Sequence, residues 1–165
     1  MRQEVYGLDS TEKADRPYSV LERNYTIRAL QPRAANRHSV FFTHARETID
    51  VHYERQLFPV VNGTIVDDAA AAITPDVEWR ADPRVSHAMV LQVDKFGNVE
   101  QSLALAYGRR FDDSDSRLTD ADRAKQKKLA AVLTDATFTN AVEEPDAYRA
   151  PLPAEEPHLR TGQSC

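Results

Sequence analysis

Hydrophobic and polar positions alternate along much of this chain. The pattern is cleanest from Glu47 to Glu54, where Ile49, Val51 and Tyr53 fall on one side and Thr48, Asp50, His52 and Glu54 on the other. Successive side chains of a strand point to opposite faces, so this spacing predicts a strand with one covered face. Leu21 to Leu30 repeats it more loosely, with Leu21, Tyr25 and Ile27 sharing a side, and Glu4 to Leu8 supplies a short strand upstream. The strongest local signal is a hairpin. Val85, Met89, Leu91 and Val93 line one face of its first arm, and Val99, Leu103, Leu105 and Tyr107 one face of its second. Asp94-Lys95-Phe96-Gly97-Asn98 lies between them. Asp94, Gly97 and Asn98 are the expected structural turn residues: the glycine supplies a positive φ, and the two flanking side chains bond turn amides.

Two stretches break the pattern. Residues 56–82 hold an Asn62-Gly63 turn, an alanine run and prolines at 59 and 75, with another at 83, and read as a long hairpin-like excursion. Phe111 to Asp122 is an acidic loop, after which Thr119 or Asp120 is placed to cap a short helix running to Lys128. Between Leu129 and Phe138, Leu129, Val132 and Leu133 fit a helix. Val132, Thr134, Ala136 and Phe138 fit a strand, and the threonines favour the strand. The tail, 143–165, is proline-rich and is expected to run extended, with no core of its own. The expected organisation is therefore a β-rich unit over 1–142, made of antiparallel hairpins, followed by that tail. Strands and helices do not alternate, which removes the doubly wound nucleotide-binding folds. Nor is there a second set of strongly apolar elements to cover the sheet, so its cover is expected elsewhere in a longer chain.

Composition narrows the chemistry. The apolar share, 41% of 165 residues, is a little below the globular average and limits the core. No window approaches the length of a membrane span, and Met1 to Asp15 lacks the apolar segment of a secretory signal. A net charge of −5 with no basic stripe argues against nucleic acid; Arg109-Arg110 and Lys125 to Lys128 are too short to offset it. The single cysteine, Cys165, is the last residue, so neither an internal disulfide nor a cysteine metal site is expected. His38, His44, His52 and His87 fall on expected strands or their edges, and His158 in the tail. His38 and His44 are too far apart along one strand, about 20 Å, to share a metal.

Other candidate sites fail on spacing. Asp112-Asp113-Ser114-Asp115 suggests calcium, but counting from Asp113 puts Arg117, Leu118 and Ala124 where that loop needs an oxygen ligand, glycine and glutamate. No nucleophile elbow or phosphate-binding glycine loop is present. Glu143-Glu144 and Glu155-Glu156 read as solvated charge. A hydrolase built on His44, Glu47 and Asp94 is the one enzymatic reading left, and Arg46 with Glu47 is more simply a strand-edge charge pair. The expectation is no catalytic residues, no metal and no cofactor.

Two blocks are distinctive. One runs Glu22-Arg23-Asn24-Tyr25-Thr26-Ile27-Arg28, then Leu30-Gln31-Pro32-Arg33, Asn36 to His44 and Arg46-Glu47-Thr48. The other runs Asp82-Pro83-Arg84-Val85-Ser86-His87-Ala88, then Val93 to Val99 and Tyr107-Gly108-Arg109-Arg110. With the flanks Arg2 to Asp9, Arg16 to Val20, Phe138-Thr139-Asn140 and Tyr148 to Pro153, they resemble the middle/C-terminal region of the B component (TcB/TcdB-like) of bacterial insecticidal toxin complexes, where it merges into the Rhs/YD-repeat shell.

The resemblance implies antiparallel hairpins forming part of a shell wall, with Asp94, Gly97 and Asn98 as the turn of a YD-like repeat. It implies a structural segment of a secreted toxin that helps enclose a cytotoxic C-terminal domain. The implied partners are the rest of the shell, in the same chain or a C component, and a pore-forming A component reached through the larger protein. Nucleic acid and direct membrane insertion are not implied. The excursion is longer than that pattern, and the chain starts inside it and stops soon after Pro151-Leu152-Pro153, so a longer protein is expected. The alternative is a free-standing β-module that binds a surface ligand or another toxin subunit.

Overall fold

The computed structural model describes residues 1–113, 115–155 and 158–163, so Ser114, Glu156 and Cys165 lie outside the described residues. In chain order the elements are β1 (Arg2–Tyr6), β2 (Pro17–Gln31), β3 (Val40–His52), β4 (Phe58–Val61), β5 (Thr64–Ile65), α1 (Asp68–Ile73), β6 (Glu78–Arg80), β7 (Arg84–Val93), β8 (Val99–Ala106), α2 (Asp120–Gln126), β9 (Ala130–Asp135), β10 (Val142–Glu144), β11 (Ala147–Arg149) and β12 (His158–Gln163). Seven strands form one sheet in the order β1-β2-β3-β7-β8-β9-β12, every neighbouring pair antiparallel. The fold is mainly β, as the alternation predicts.

Register assigns the faces, because directly paired residues point the same way. One row crosses all seven strands: Arg2, Glu22, Ile49, His87, Leu105, Ala131 and Gly162. Val20, Val51 and Val85 lie beside it on the same face, as do Met89, Leu103 and Leu133. The other face carries smaller residues, with Thr48, Ala88, Ala104 and Val132 in one row and Asp50, Ser86, Ala106 and Ala130 in the next. Neither face is closed over. Among the described residues Val20 and Val60 are the buried hydrophobic ones, and the chain exposes 12090 Å². A compact chain of 18.6 kDa exposes about 8,200 Å², so this one leaves roughly 3,900 Å² more in contact with solvent.

The hairpin forms as expected, β7 pairing with β8, and β9 is a strand rather than a helix. Thr119 caps α2 through a capping box with Asp122. Two bulges break the expected alternation. A register shift between Asn24 and Tyr25 interrupts the side shared by Leu21, Tyr25 and Ile27, and Tyr25 and Ile27 are exposed. Another between Val90 and Gln92 takes Leu91 out of the face of Val85 and Met89, leaving it exposed. His38 lies in the loop before β3, not on the strand.

The excursion contains more than a hairpin. Asn62 and Gly63, both at positive φ, turn β4 into β5, and β6 returns on the other side to give a sheet of order β5-β4-β6. The alanine run forms α1, capped by Asp67, whose side chain accepts from Ala70 N. The tail also differs from expectation. β10 and β11 pair as a small hairpin, and β12 pairs with β9 from His158↔Asp135 to Gln163↔Ala130. The tail's last strand is thus part of the main sheet. The outer edge of β9 presents unpaired backbone amides, and an extended segment satisfies them.

Candidate functional site

At the hairpin turn the sequence dictates the geometry directly. One oxygen of Asp94 accepts from Phe96 N at 2.8 Å and Asn98 N at 2.9 Å, and the other accepts from Asn98 Nδ2 at 2.8 Å. Burial alone would raise the Asp94 pKa, but the hydrogen bonds from Asn98 and the turn amides outweigh it and hold the carboxyl below its usual range. Gly97 has φ +96, and a Cβ there would lie 3.3 Å from the Phe42 ring. Asp94, Gly97 and Asn98 therefore build the turn, and the Asp94 carboxylate is fully engaged in it.

His44, Glu47 and Asp94 do not share a hydrogen-bond network. His44 Nδ1 lies 2.9 Å from the carbonyl of its neighbour Ala45. Glu47 accepts from Asn24 Nδ2 on β2 at 3.0 Å and sits 3.5 Å from His87 Nε2 on β7. The bond from Asn24, with a smaller contribution from His87, keeps the Glu47 carboxyl below its usual range. The expected Arg46–Glu47 edge pair is therefore replaced by contacts across strands. β3 is an interior strand, flanked by β2 and β7, so Glu47 has a neighbour on each side. His87 Nδ1 lies 3.2 Å from the Tyr107 hydroxyl, and the two rings stack at 6.3 Å. Sequence reasoning did not connect Glu47, His87 and Tyr107, because their association depends on the β3–β7–β8 register. Among the described residues no three His, Cys, Asp or Glu side chains gather as a metal site. No described helix is long and apolar enough to cross a membrane.

Two charged clamps fasten the ends of the excursion, and neither was foreseen. At its entry Arg55 is buried, at φ +53. Its guanidinium reaches Asp9 at 2.6 and 3.1 Å, the Tyr18 hydroxyl at 2.9 Å and the Lys13 carbonyl at 3.3 Å. It also lies over the Tyr18 ring at 4.6 Å. The Arg55 bond holds the Asp9 carboxyl well below the usual carboxylate range. At the exit, buried Asp82 accepts from Arg110 N at 3.2 Å and Arg109 Nη1 at 3.4 Å, and Arg109 also donates to the Asp82 carbonyl at 2.6 Å. Gly108 lies beside this clamp, and a Cβ on it would come within 2.1 Å of the Lys127 carbonyl.

The chain is a broad antiparallel sheet open on both faces, with its turn and clamp side chains engaged within the fold. Its relatives make that class specific. The family model of the insecticide toxin TcdB middle/C-terminal region matches residues 1–65 and 77–150, and this chain belongs to that family as a structural segment of toxin-complex type. Among solved structures it is similar to TcdB2-TccC3 (22% identity, TM-score 0.68) and to TcdB2-TccC3 without its hypervariable C-terminal region (22%, 0.67). It is also similar to a Photorhabdus luminescens Tc holotoxin pore (22%, 0.68). Each match covers 99% of this chain and 7% of that chain, so the likeness speaks for the fold of a small portion. No curated protein matches this chain. The stretch between the two matched parts of the family model, 66–76, contains α1.

Proposed function

We propose that this chain is a wall segment of a β-shell that encloses a cytotoxic C-terminal domain in a secreted insecticidal-type toxin complex. The observation that carries this reading is the seven-stranded sheet with both faces open, exposing 12090 Å². Such a surface is stable when further strands pair with its edges and further chain covers its faces. β1 and β12 are the edge strands available for that pairing. The resemblance to TcdB2-TccC3 supports a C component as partner, with a pore-forming A component engaged through the larger protein. In this reading the segment performs no turnover and holds no metal or cofactor. Aspartate, glycine and asparagine at 94, 97 and 98 serve as a repeat turn in the wall.

The test uses the full-length toxin protein assembled with its C-type partner. Leu103→Asp places a charge among Met89 and Leu133, its neighbours in the same row. The expected result is failed assembly, or a cargo domain that protease reaches before release. His44→Ala should leave assembly and cargo delivery intact and abolish no separate reaction. Normal assembly and protection with Leu103→Asp, or loss of a distinct reaction with His44→Ala, would overturn the proposal.

A further inference from the structure

A groove lies between the loop that follows β1 and the excursion, with a volume of about 620 Å³. Its apolar lining is Trp79, Leu57 and two alanines of α1, Ala71 and Ala72. Trp79 is the only tryptophan in the chain and is 56% exposed. Its neighbours on β6, Glu78 and Arg80, pair with each other at 2.6 Å. Alternation puts that pair on the opposite face of the strand from Trp79.

The polar lining is Glu12, Lys13, Arg16, Gln56 and Asp68. Among the described residues none of the four charged side chains forms an ion pair, with another or elsewhere. Both walls are fixed. Arg55 ties the loop down through Asp9 and the Lys13 carbonyl. Asp67 caps α1, and Val66 N donates to the Pro59 carbonyl at 3.0 Å. The volume falls within the range of preformed small-ligand sites, about 300 to 1,000 Å³.

We propose that this groove binds a short neutral oligosaccharide. Two carboxylates and two cations cancel, so the lining favours neither an anion such as nucleic acid nor a cation. A sugar hydroxyl both donates and accepts, and so answers Glu12 and Asp68 as acceptors and Lys13 and Arg16 as donors with one chemistry. The flat, largely exposed indole of Trp79 offers a platform for the C–H face of a pyranose ring, while its N–H remains a polar handle. Part of the wall, α1, lies in the stretch the family model leaves unmatched. Asp68, Ala71 and Ala72 are the lining residues in that stretch, and the rest lie in the matched parts. The groove is separate from the open sheet, and the proposal stands independently of the shell reading.

The experiment is calorimetric titration of the whole toxin protein with a panel of neutral gluco-, galacto-, manno- and N-acetylated disaccharides. Trp79→Ala, Glu12→Gln and Arg16→Gln are titrated in parallel, and thermal melts check that each remains folded. Saturable binding of at least one sugar is expected, weakened tenfold or more by each variant, with Trp79→Phe recovering part of the Trp79→Ala loss. No saturable binding across the panel would overturn the proposal. So would binding that the variants leave unchanged, or saturation by heparin or a charged peptide in place of the sugars.

Discussion

From Arg55 to Asp82 the chain forms a three-stranded sheet and one short helix, burying Pro59 and Val60 in the sheet and Arg55 and Asp82 at its two ends. Across the seven-stranded sheet, several times larger, Val20 is the buried hydrophobic among the described residues. The smaller region is consolidated by charged side chains that close around its two stems, and the larger by backbone pairing along its strands. A hydrogen-bonded ladder specifies geometry, but its net worth is only about 0.5–1.5 kcal/mol per bond. Burial of apolar surface has to supply the rest. The excursion end carries local cover of its own, whereas the large sheet leaves both faces open to solvent.

The largest effect should come from Asp82→Ala. Its carboxylate is 3% exposed and its partner Arg109 is 22% exposed, so the change takes the acceptor from the Arg110 amide and one carboxylate from Arg109, which keeps the Asp82 carbonyl. A cost of about 3 kcal/mol is expected. Hydrogen exchange should rise across 56–82 more than across β7 and β8; equal rises would break the contrast between the regions. Gly108→Ala comes next. Its new methyl meets the Lys127 backbone carbonyl, and the overpacking should cost about 2–3 kcal/mol in a urea titration. An unchanged midpoint would show that the end of α2 shifts freely and is not part of the consolidated end.

Gly97→Val tests the wall itself and should cost about 2 kcal/mol, since a β-branched residue is strained at φ +96. If stability is unaffected, the turn does not hold the hairpin.

The smallest effect is pH dependence. Asp94 and Asp115 are held below their ordinary value of 3.8. For Asp115 the bonds from Arg117 bring it to about 2. A depressed carboxyl stabilises the fold above its unfolded pKa, and that contribution is lost as pH falls through the folded value. The Asp115 contribution is thus present above about pH 4 and lost toward pH 2. Urea midpoints should fall between pH 5 and pH 2.5, and Asp94→Asn should flatten part of the drop. A rise on acidification would contradict these assignments.

Much of the wall was legible from sequence, because period-two alternation and the Asp-Gly-Asn turn are local signals. Val85 to Val93 and Val99 to Tyr107 were readable as a hairpin for that reason. The bulges at Leu91 and Tyr25 were not, since an extra residue in a ladder is defined only by its partner strand. β12 was hidden by the prolines ahead of it, which mark an extended chain without saying where it pairs. The clamps were illegible for a different reason. Arg55 and Asp9 are 46 residues apart, and Asp82 and Arg109 are 27 apart, distances at which spacing carries no information. α1 was missed because its alanines carry too little periodicity to distinguish a helix from a loop.

Thermal unfolding of the isolated chain, followed by circular dichroism, reads out whether the sheet is a wall that needs outside cover. Fully burying a Val, Leu, Ile or Met side chain is worth about 1.5–3 kcal/mol, against a typical total margin of about 5–15 kcal/mol. With Ile49, Val51, Met89, Leu103 and Leu105 only partly covered, the melt should be broad, low in temperature and followed by association at the open edges. A sharp, reversible melt of a monomer at high temperature would contradict the account.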